Sequence, residues 1–340
     1  MINIGIVGLG FMAATHIKAW RQIPQAHVAA LCNPSGWHLD GDFTGVAGNV
    51  GDNAPVKLEP GSFTAYRDFT EMLSNPEIQL VDICAPTKAH PELAVAALRA
   101  GKHVLCEKPL ARTPQLARQI ADAAASAKGF FMPAMCVRFW PEWAWLKQAI
   151  DDGRFGKVLG ARFRRVAEPP GWGHGHFLDG AQSGGALLDL HIHDTDFVQF
   201  CFGRPRAVCS TGYTKFSGAI DHVVTQYQVT SGAMVHAEGS WAMTPGFGFN
   251  ASYTVNFENA TADYDLARGA DGLKLFEKNQ PPRVIKCDGP DGYVNELRHF
   301  IGAIQSGKPP SVVTVADAVS AVEICEAEEE SVRTGKVMTL

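Results

Sequence analysis

Residues 2–20 read INIGIVGLGFMAATHIKAW, and the stretch changes character half-way along. INIGIVGLG is a short apolar run ending on glycines, the pattern of a strand covered on both faces. FMAATHIKAW has helical spacing. The junction GLGFMA (8–13) fits G-x-G-x-x-A, with Gly8, Gly10 and Ala13 at the fixed positions. Gly8 permits the tight turn, Gly10 lets the backbone approach a pyrophosphate, and Ala13 allows the helix to pack closely on the strand. The helix N-terminus attracts the anion. The stretch therefore predicts a dinucleotide-binding unit, with Phe11 and Met12 also along the cofactor.

The following sequence repeats the alternation. HVAALCN (27–33) and EIQLVDICAPT (77–87) read as strands. HPELAVAALRAG reads as a helix closed by Gly101. KHVLCEKP (102–109) is a further strand, and TPQLARQIADAAASAKG opens on Thr113 as N-cap with Pro114 after it. Strands alternating with helices imply a parallel, doubly wound sheet. The polar, Gly-rich 35–62 reads as a long connection. The strand-2 position where an acid commonly binds the ribose diol holds Asn33, in CNPSGWH. Asn33 can bond a hydroxyl without repelling a 2′-phosphate, and Ser35 can donate to one. No Arg or Lys follows nearby, with His38 the first suspect for a phosphate partner, so the reading is NAD or NADP with a lean to NAD.

After about residue 130 the pattern changes. KVLGARFRRV, RAVCSTGYTKF, DHVVTQYQVT, AMVHAEGSWAM and SYTVNFENATADYDL follow in near-succession with Gly, Asn and Asp turns. They predict an open, predominantly antiparallel sheet with one covered face. PEWAWLKQAIDDG, YVNELRHFIGAIQSG and ADAVSAVEICEAEEESVRTG read as helices, the EAEEE run as a solvated face. The expected domains are 1–130, a dinucleotide-binding unit, and 131–340, a substrate and oligomerisation unit. The last helix is free to pack back on the first.

The composition is that of a globular protein, 46% hydrophobic with a net charge of -5 and no basic block, which argues against nucleic acid and anionic membrane as partners. No apolar run is long enough to span a bilayer, and no secretory pattern precedes the first strand. Eight cysteines without a CxxC pair suit reduced thiols in a cytoplasm.

LLDLHIHDTDF (187–197) puts two histidines and three aspartates in an apolar segment. Metal ligation, a proton relay and a polar helix end are the alternatives. On an α-helix Asp189 and His193 are i and i+4 and share a face. Asp196 shares it too, as relay member or brace, while His191 and Asp194 point elsewhere. Loop EPPGWGHGHFLDGAQSGG (168–185) offers Trp172, His174, His176 and Asp179 to a sugar pocket, and Arg138 in CVRFW can reach the same cleft. The plainer alternative is a surface loop held by its own hydrogen bonds.

GLGFMA, CAPTKAHPELAVAALRAGKHVLCEKPLA (84–111) and GGALLDLHIHDTDF (184–197) together resemble the Gfo/Idh/MocA family of sugar and cyclitol dehydrogenases. The resemblance extends to PEWAWLKQAIDDGRFGKVLGARF and the closing YVNELRHF…GKVMTL. It implies a Rossmann domain followed by an open-sheet α/β domain, a homo-oligomer of two or four chains, and a carbohydrate-like substrate. It implies that Glu107-Lys108-Pro109 is the E-K-P signature, with Lys108 between nicotinamide and substrate. Pro86, Thr87, His90 and Glu107 join the cofactor contacts, and Asp189 and His193 are the catalytic pair. His191 stands where the family usually has Gly, and is read as facing substrate or as bonded in the interior, with the former favoured. The chemistry agrees: a histidine titrating near neutrality takes the hydroxyl proton, and an ammonium stabilises the alkoxide. Two rival functions remain. One is a zinc hydrolase or isomerase using His174/His176 and His191/His193, and it leaves GLGFMA and CEKP unexplained. The other is a non-catalytic dinucleotide sensor.

Overall fold

The computed structural model describes residues 1–46, 48, 54–171 and 175–340. They form two compact units, one of residues 1–136 and 291–319, the other of residues 137–290 and 320–340.

In the first unit the chain runs β1 (Ile2–Val7), α1 (Phe11–Trp20), β2 (Ala26–Cys32), β3 (Thr64–Tyr66), α2 (Phe69–Ser74), β4 (Leu80–Ile83), α3 (His90–Arg99), β5 (His103–Glu107), α4 (Pro114–Ser126) and β6 (Phe131–Ala134). The sheet order is β3-β2-β1-β4-β5-β6, and its five pairings are all parallel. This is the doubly wound order, which reverses between β1 and β4 and opens a crevice at the carboxyl ends there. Ile4, Ile6, Leu80, Val81, Ile83, Val104 and Leu105 are completely buried, as strands covered by helices on both faces require. Pro133, which has no N–H to give, lies on the edge strand β6.

The second unit opens with α5 (Pro141–Asp151) and β7 (Val158–Ala167). A short helix α6 (Gly180–Ser183) precedes a π-helical turn over Leu187–His191, which continues into α7 (Ile192–Phe202). Strands β8 (Ala207–Tyr213), β9 (His222–Gln228), β10 (Met234–Ser240), β11 (Phe249–Phe257), β12 (Ala260–Asp265), β13 (Leu273–Glu277) and β14 (Arg283–Val284) follow. Helix α8 (Gly292–Ser306) belongs to the first unit, α9 (Val315–Thr334) begins there and ends in the second, and β15 (Met338–Thr339) closes the chain. The sheet order is β14-β13-β12-β11-β7-β10-β9-β8-β15. Every pairing is antiparallel except β7 with β10. SYTVNFENATADYDL, read as one strand, is two, because the chain reverses at Glu258 and Asn259 between β11 and β12. Trp143 of α5 anchors the core, meeting Phe197 and Tyr253 edge-on at 4.8 and 5.2 Å between ring centres.

The acidic end of α9 is not uniformly solvated as expected. Glu328, in the middle of EAEEE, is completely buried. No helix among the described residues is long and apolar enough to cross a membrane.

Candidate active site

The phosphate loop has the expected form. Gly8 adopts φ +84°, and a Cβ there would fall 2.4 Å from the Ala85 Cα, so only glycine lets the turn pass this close to the exit of β4. A Cβ on Gly10 would meet nothing within 4 Å, so the space over it is open. No side chain caps α1 at Gly10, and its first turn has no acidic residue. This cradle suits a pyrophosphate. Phe11 and Met12 are half-buried, Ala13 is buried, and the Phe11 ring lies against Gly48. Pro86 is exposed and Thr87 buried in the turn after β4.

The E-K-P segment sits on a buried network that the motif alone does not reveal. His16 of α1 holds Asp82 of β4 through Nδ1 at 2.9 Å, and the same carboxylate accepts the Trp20 indole N–H at 2.8 Å. His16 Nε2 lies 3.1 Å from Glu107 Oε1, off the angle of a hydrogen bond, while Glu107 Oε2 accepts the Lys108 backbone N–H at 3.0 Å. Burial opposes charge on His16, but the Asp82 carboxylate and Cys84 together outweigh it and hold the imidazole pKa well above the ordinary histidine value. Glu296 of α8 is completely buried, and burial followed by the nearby Glu107 pushes its carboxyl well up, so it is neutral. Glu107 was expected along the cofactor. It is buried and turned to His16 and its own backbone, and it accepts from the N–H of Lys108, which is half-buried. His90, also expected along the cofactor, is buried too. Its Nδ1 faces the Pro109 carbonyl and its Nε2 the Ala85 carbonyl, both at 2.8 Å, tying the β4 exit to the E-K-P turn. Burial pulls the His90 pKa down against the pull of these carbonyls. Asp82 was legible as an acid inside the apolar run LVDIC, and His16 as the polar residue on an apolar helix face.

At the end of β2, Asn33 donates to the Trp37 carbonyl at 3.0 Å and accepts from the Ser35 hydroxyl at 3.0 Å. Both side chains are thus engaged in their own turn. His38 Nδ1 lies 2.7 Å from the Asp42 carbonyl oxygen, its ring stacked on Phe43. The expectation that no basic residue stands nearby is wrong. Arg67, which follows β3, lies against Gly36 of this turn. Its 34-residue distance from Asn33 hid it, and the β2–β3 pairing brings it back.

In LLDLHIHDTDF the i→i+5 bonding of the π turn shifts the register before α7 begins. Asp189 and His193 are half-buried, whereas His191, Asp194 and Asp196 are completely buried or nearly so. Asp196 therefore does not share the open face. It accepts from Arg138 Nε and Nη2 at 2.8 and 2.7 Å, and the guanidinium lies over Phe200. This corrects both the relay reading of Asp196 and the substrate reading of Arg138, which is itself buried. Asp194 is matched by Arg165 in the same way, at 2.9 and 3.3 Å. His191 is corrected too. It is fully buried against Gly239 of β10, where a Cβ would fall 2.5 Å from the His191 Cβ. Its Nε2 is 3.1 Å from the Tyr227 hydroxyl, which meets Thr195, which donates to Glu328 at 3.1 Å. Burial lowers the His191 pKa, but Glu328 3.6 Å away raises it further, for a net upward shift.

Of the loop residues, Asp179 is the exposed cap of α6, accepting from Ala181 N and Gln182 Nε2, as the plainer alternative has it. His176 is half-buried beside Phe177. Trp172 and His174 lie outside the described residues. Among the described residues, the His, Cys and acidic side chains grouped closely enough to share a metal are His16, Asp82 and Cys84, not the His191/His193 pair.

The Gfo/Idh/MocA oxidoreductase family, NAD-binding Rossmann fold, matches residues 2–135, and its C-terminal domain matches residues 143–263. The chain belongs to this family. It is 26% identical to myo-inositol 2-dehydrogenase of Thermotoga maritima over 332 residues, covering 92% of this chain and 90% of the relative. It is 25% identical to scyllo-inositol 2-dehydrogenase (NAD(+)) of Bacillus subtilis over 350 residues, covering 100% and 96%. Levoglucosan dehydrogenase in complex with NADH and levoglucosan shares the fold, with a TM-score of 0.84 at 22% identity over 100% of this chain and 99% of that one. These relatives give the zinc hydrolase reading no support.

Proposed function

We propose that this chain is a nicotinamide-dependent dehydrogenase acting on a secondary alcohol of a cyclitol or sugar. The observation that carries the reading is the exposure pattern of 187–197. Of five titratable side chains, the two left half-open to solvent are Asp189 and His193, and the other three are buried. A half-open histidine can exchange a proton with a hydroxyl, and a half-open carboxylate beside it in sequence can orient the imidazole and stabilise its charge. The nicotinamide, when bound, supplies the hydride acceptor. Lys108 supplies the positive charge that a developing alkoxide needs, and Glu107, bonded to the Lys108 N–H, holds its backbone in place. The open cradle over Gly10 and the uncapped N-terminus of α1 hold the pyrophosphate. The inositol and levoglucosan dehydrogenases among the relatives support a polyhydroxylated ring as substrate.

The test is a dehydrogenase screen over cyclitols, anhydrosugars, aldoses and sugar acids, following reduced nicotinamide by absorbance with NAD and with NADP. Turnover of at least one ring polyol, undiminished by chelator, is the expected outcome. Turnover abolished by chelator and restored by zinc would instead make the histidines metal ligands.

A further inference from the structure

The turn after β2 carries a cation that forms no ion pair among the described residues. Asn33 stands where a Rossmann unit meets the adenosine ribose. The turn closes through Gly36 N donating to the Asn33 carbonyl at 3.0 Å, and Gly36 adopts φ +82°. Cys32 pairs with Tyr66, and Asn33 N donates to the Tyr66 carbonyl at 3.1 Å, so the chain leaves β3 beside this turn. Arg67 is the next residue. A Cβ on Gly36 would fall 2.5 Å from its Nη2, 2.8 Å from Cζ and 3.0 Å from Nη1. The guanidinium thus rests on the bare face of the glycine, in space that any other side chain would occupy. Arg67 is exposed and forms no ion pair with a described residue. The adjacent Asp68 is turned to the N-terminus of α2, where it accepts from Thr70 N at 2.6 Å.

We infer that Arg67 is the receptor for the 2′-phosphate of the dinucleotide, so that the chain prefers the phosphorylated cofactor. The inference rests on the dinucleotide reading above and extends it. Three features converge on it. The strand-2 acid that repels a second phosphate is absent, since Asn33 is neutral. A planar fork of N–H donors, which suits phosphate oxygens, stands at the same turn. The other polar groups there, Asn33, Ser35 and His38, are taken up within the turn.

The experiment is a fluorescence titration of the full chain with NADPH and with NADH, for the unaltered protein, Arg67→Ala and Arg67→Lys. NADPH should bind more tightly than NADH to the unaltered protein, and its affinity should fall more steeply with salt. Arg67→Ala should weaken NADPH by about ten- to a hundredfold, the scale of a lost charge-assisted contact. It should change NADH far less. Arg67→Lys, which keeps the charge but not the fork, should fall between. Equal weakening of both cofactors would show that Arg67 only covers the adenine, and would overturn the inference, as would an unaltered protein that prefers NADH. Binding of neither cofactor would overturn the dinucleotide reading itself.

Discussion

Two buried polar networks support the two candidate reactive segments, and they are built in opposite ways. Behind Lys108, carboxyl groups outnumber cations: Asp82 and Glu107 both face His16, with neutral Glu296 nearby. Around His193 the charges are matched one to one, Arg138 with Asp196 and Arg165 with Asp194, each through two contacts. The first network depends on a proton held by an imidazole. The second depends on guanidinium groups that do not titrate in the physiological range. The second unit also holds a raised imidazole, His191 beside Glu328, so the contrast in pH response lies between His16 and the two Arg–Asp pairs.

The largest expected effects test whether the half-open residues above these networks are the reactive ones. Lys108→Met removes charge where the alkoxide develops, and His193→Asn removes the acid–base group. His193→Asn should lower turnover by about 10²–10⁴-fold, with dinucleotide affinity nearly unchanged. Lys108→Met should be at least as damaging. Steady-state kinetics and cofactor titration on the same preparations check both. If His191→Ala were as damaging to turnover as His193→Asn with folding intact, the distinction between open and buried histidines would fail.

Next comes stability. Arg165→Met leaves Asp194 buried without its partner, which should cost about 3–5 kcal/mol, while Arg165→Met combined with Asp194→Leu should recover much of it. Denaturant unfolding of the two variants decides. A double variant no more stable than the single one would show that the pair does more than cancel its own charges. Removing Arg165 also takes away its contact over the Trp143 ring, 5.2 Å from the centroid, so some loss should persist in the double variant.

The two networks also differed in how far the sequence revealed them. Strand and helix periods, the GLGFMA junction and the E-K-P run were enough for the parallel sheet and the cradle, because each is a local pattern. The partner of Glu107 was not local: His16, itself held by Asp82, meets it only once β4 and β5 lie side by side next to α1. In the second unit the i, i+4 argument put Asp196 on the face of Asp189 and His193; the π turn shifts Asp189 relative to α7, while His193 and Asp196 both lie in α7 and differ by packing, Asp196 being buried against Arg138. Nothing in LLDLH announces i→i+5 bonding. The partners Arg138, Arg165, Tyr227 and Glu328 lie 58, 29, 36 and 133 residues from Asp196, Asp194, His191 and Thr195, so no spacing rule could assign them. Arg67 was missed for the same reason, since pairing of β2 with β3 is what brings it to Asn33.

The smallest effect separates the networks most sharply. His16 has a folded pKa raised above its unfolded value, because Asp82 and Cys84 together outweigh the cost of burial. Protonation of His16 therefore stabilises the first unit fully below the unfolded histidine pKa, about 6.5. That contribution is lost as pH rises through the higher folded pKa. His16→Gln, which removes the titrating group, should be most destabilising near about pH 6, with its deficit shrinking toward alkaline pH. Arg165→Met removes no imidazole and serves as the comparison. Hydrogen exchange of the β4 and β5 amides, compared with those of β7 and β10, reads each unit separately. A deficit for His16→Gln that stayed constant or grew with pH would mean that His16 is buried neutral. The network behind Lys108 would then be held by hydrogen bonds alone.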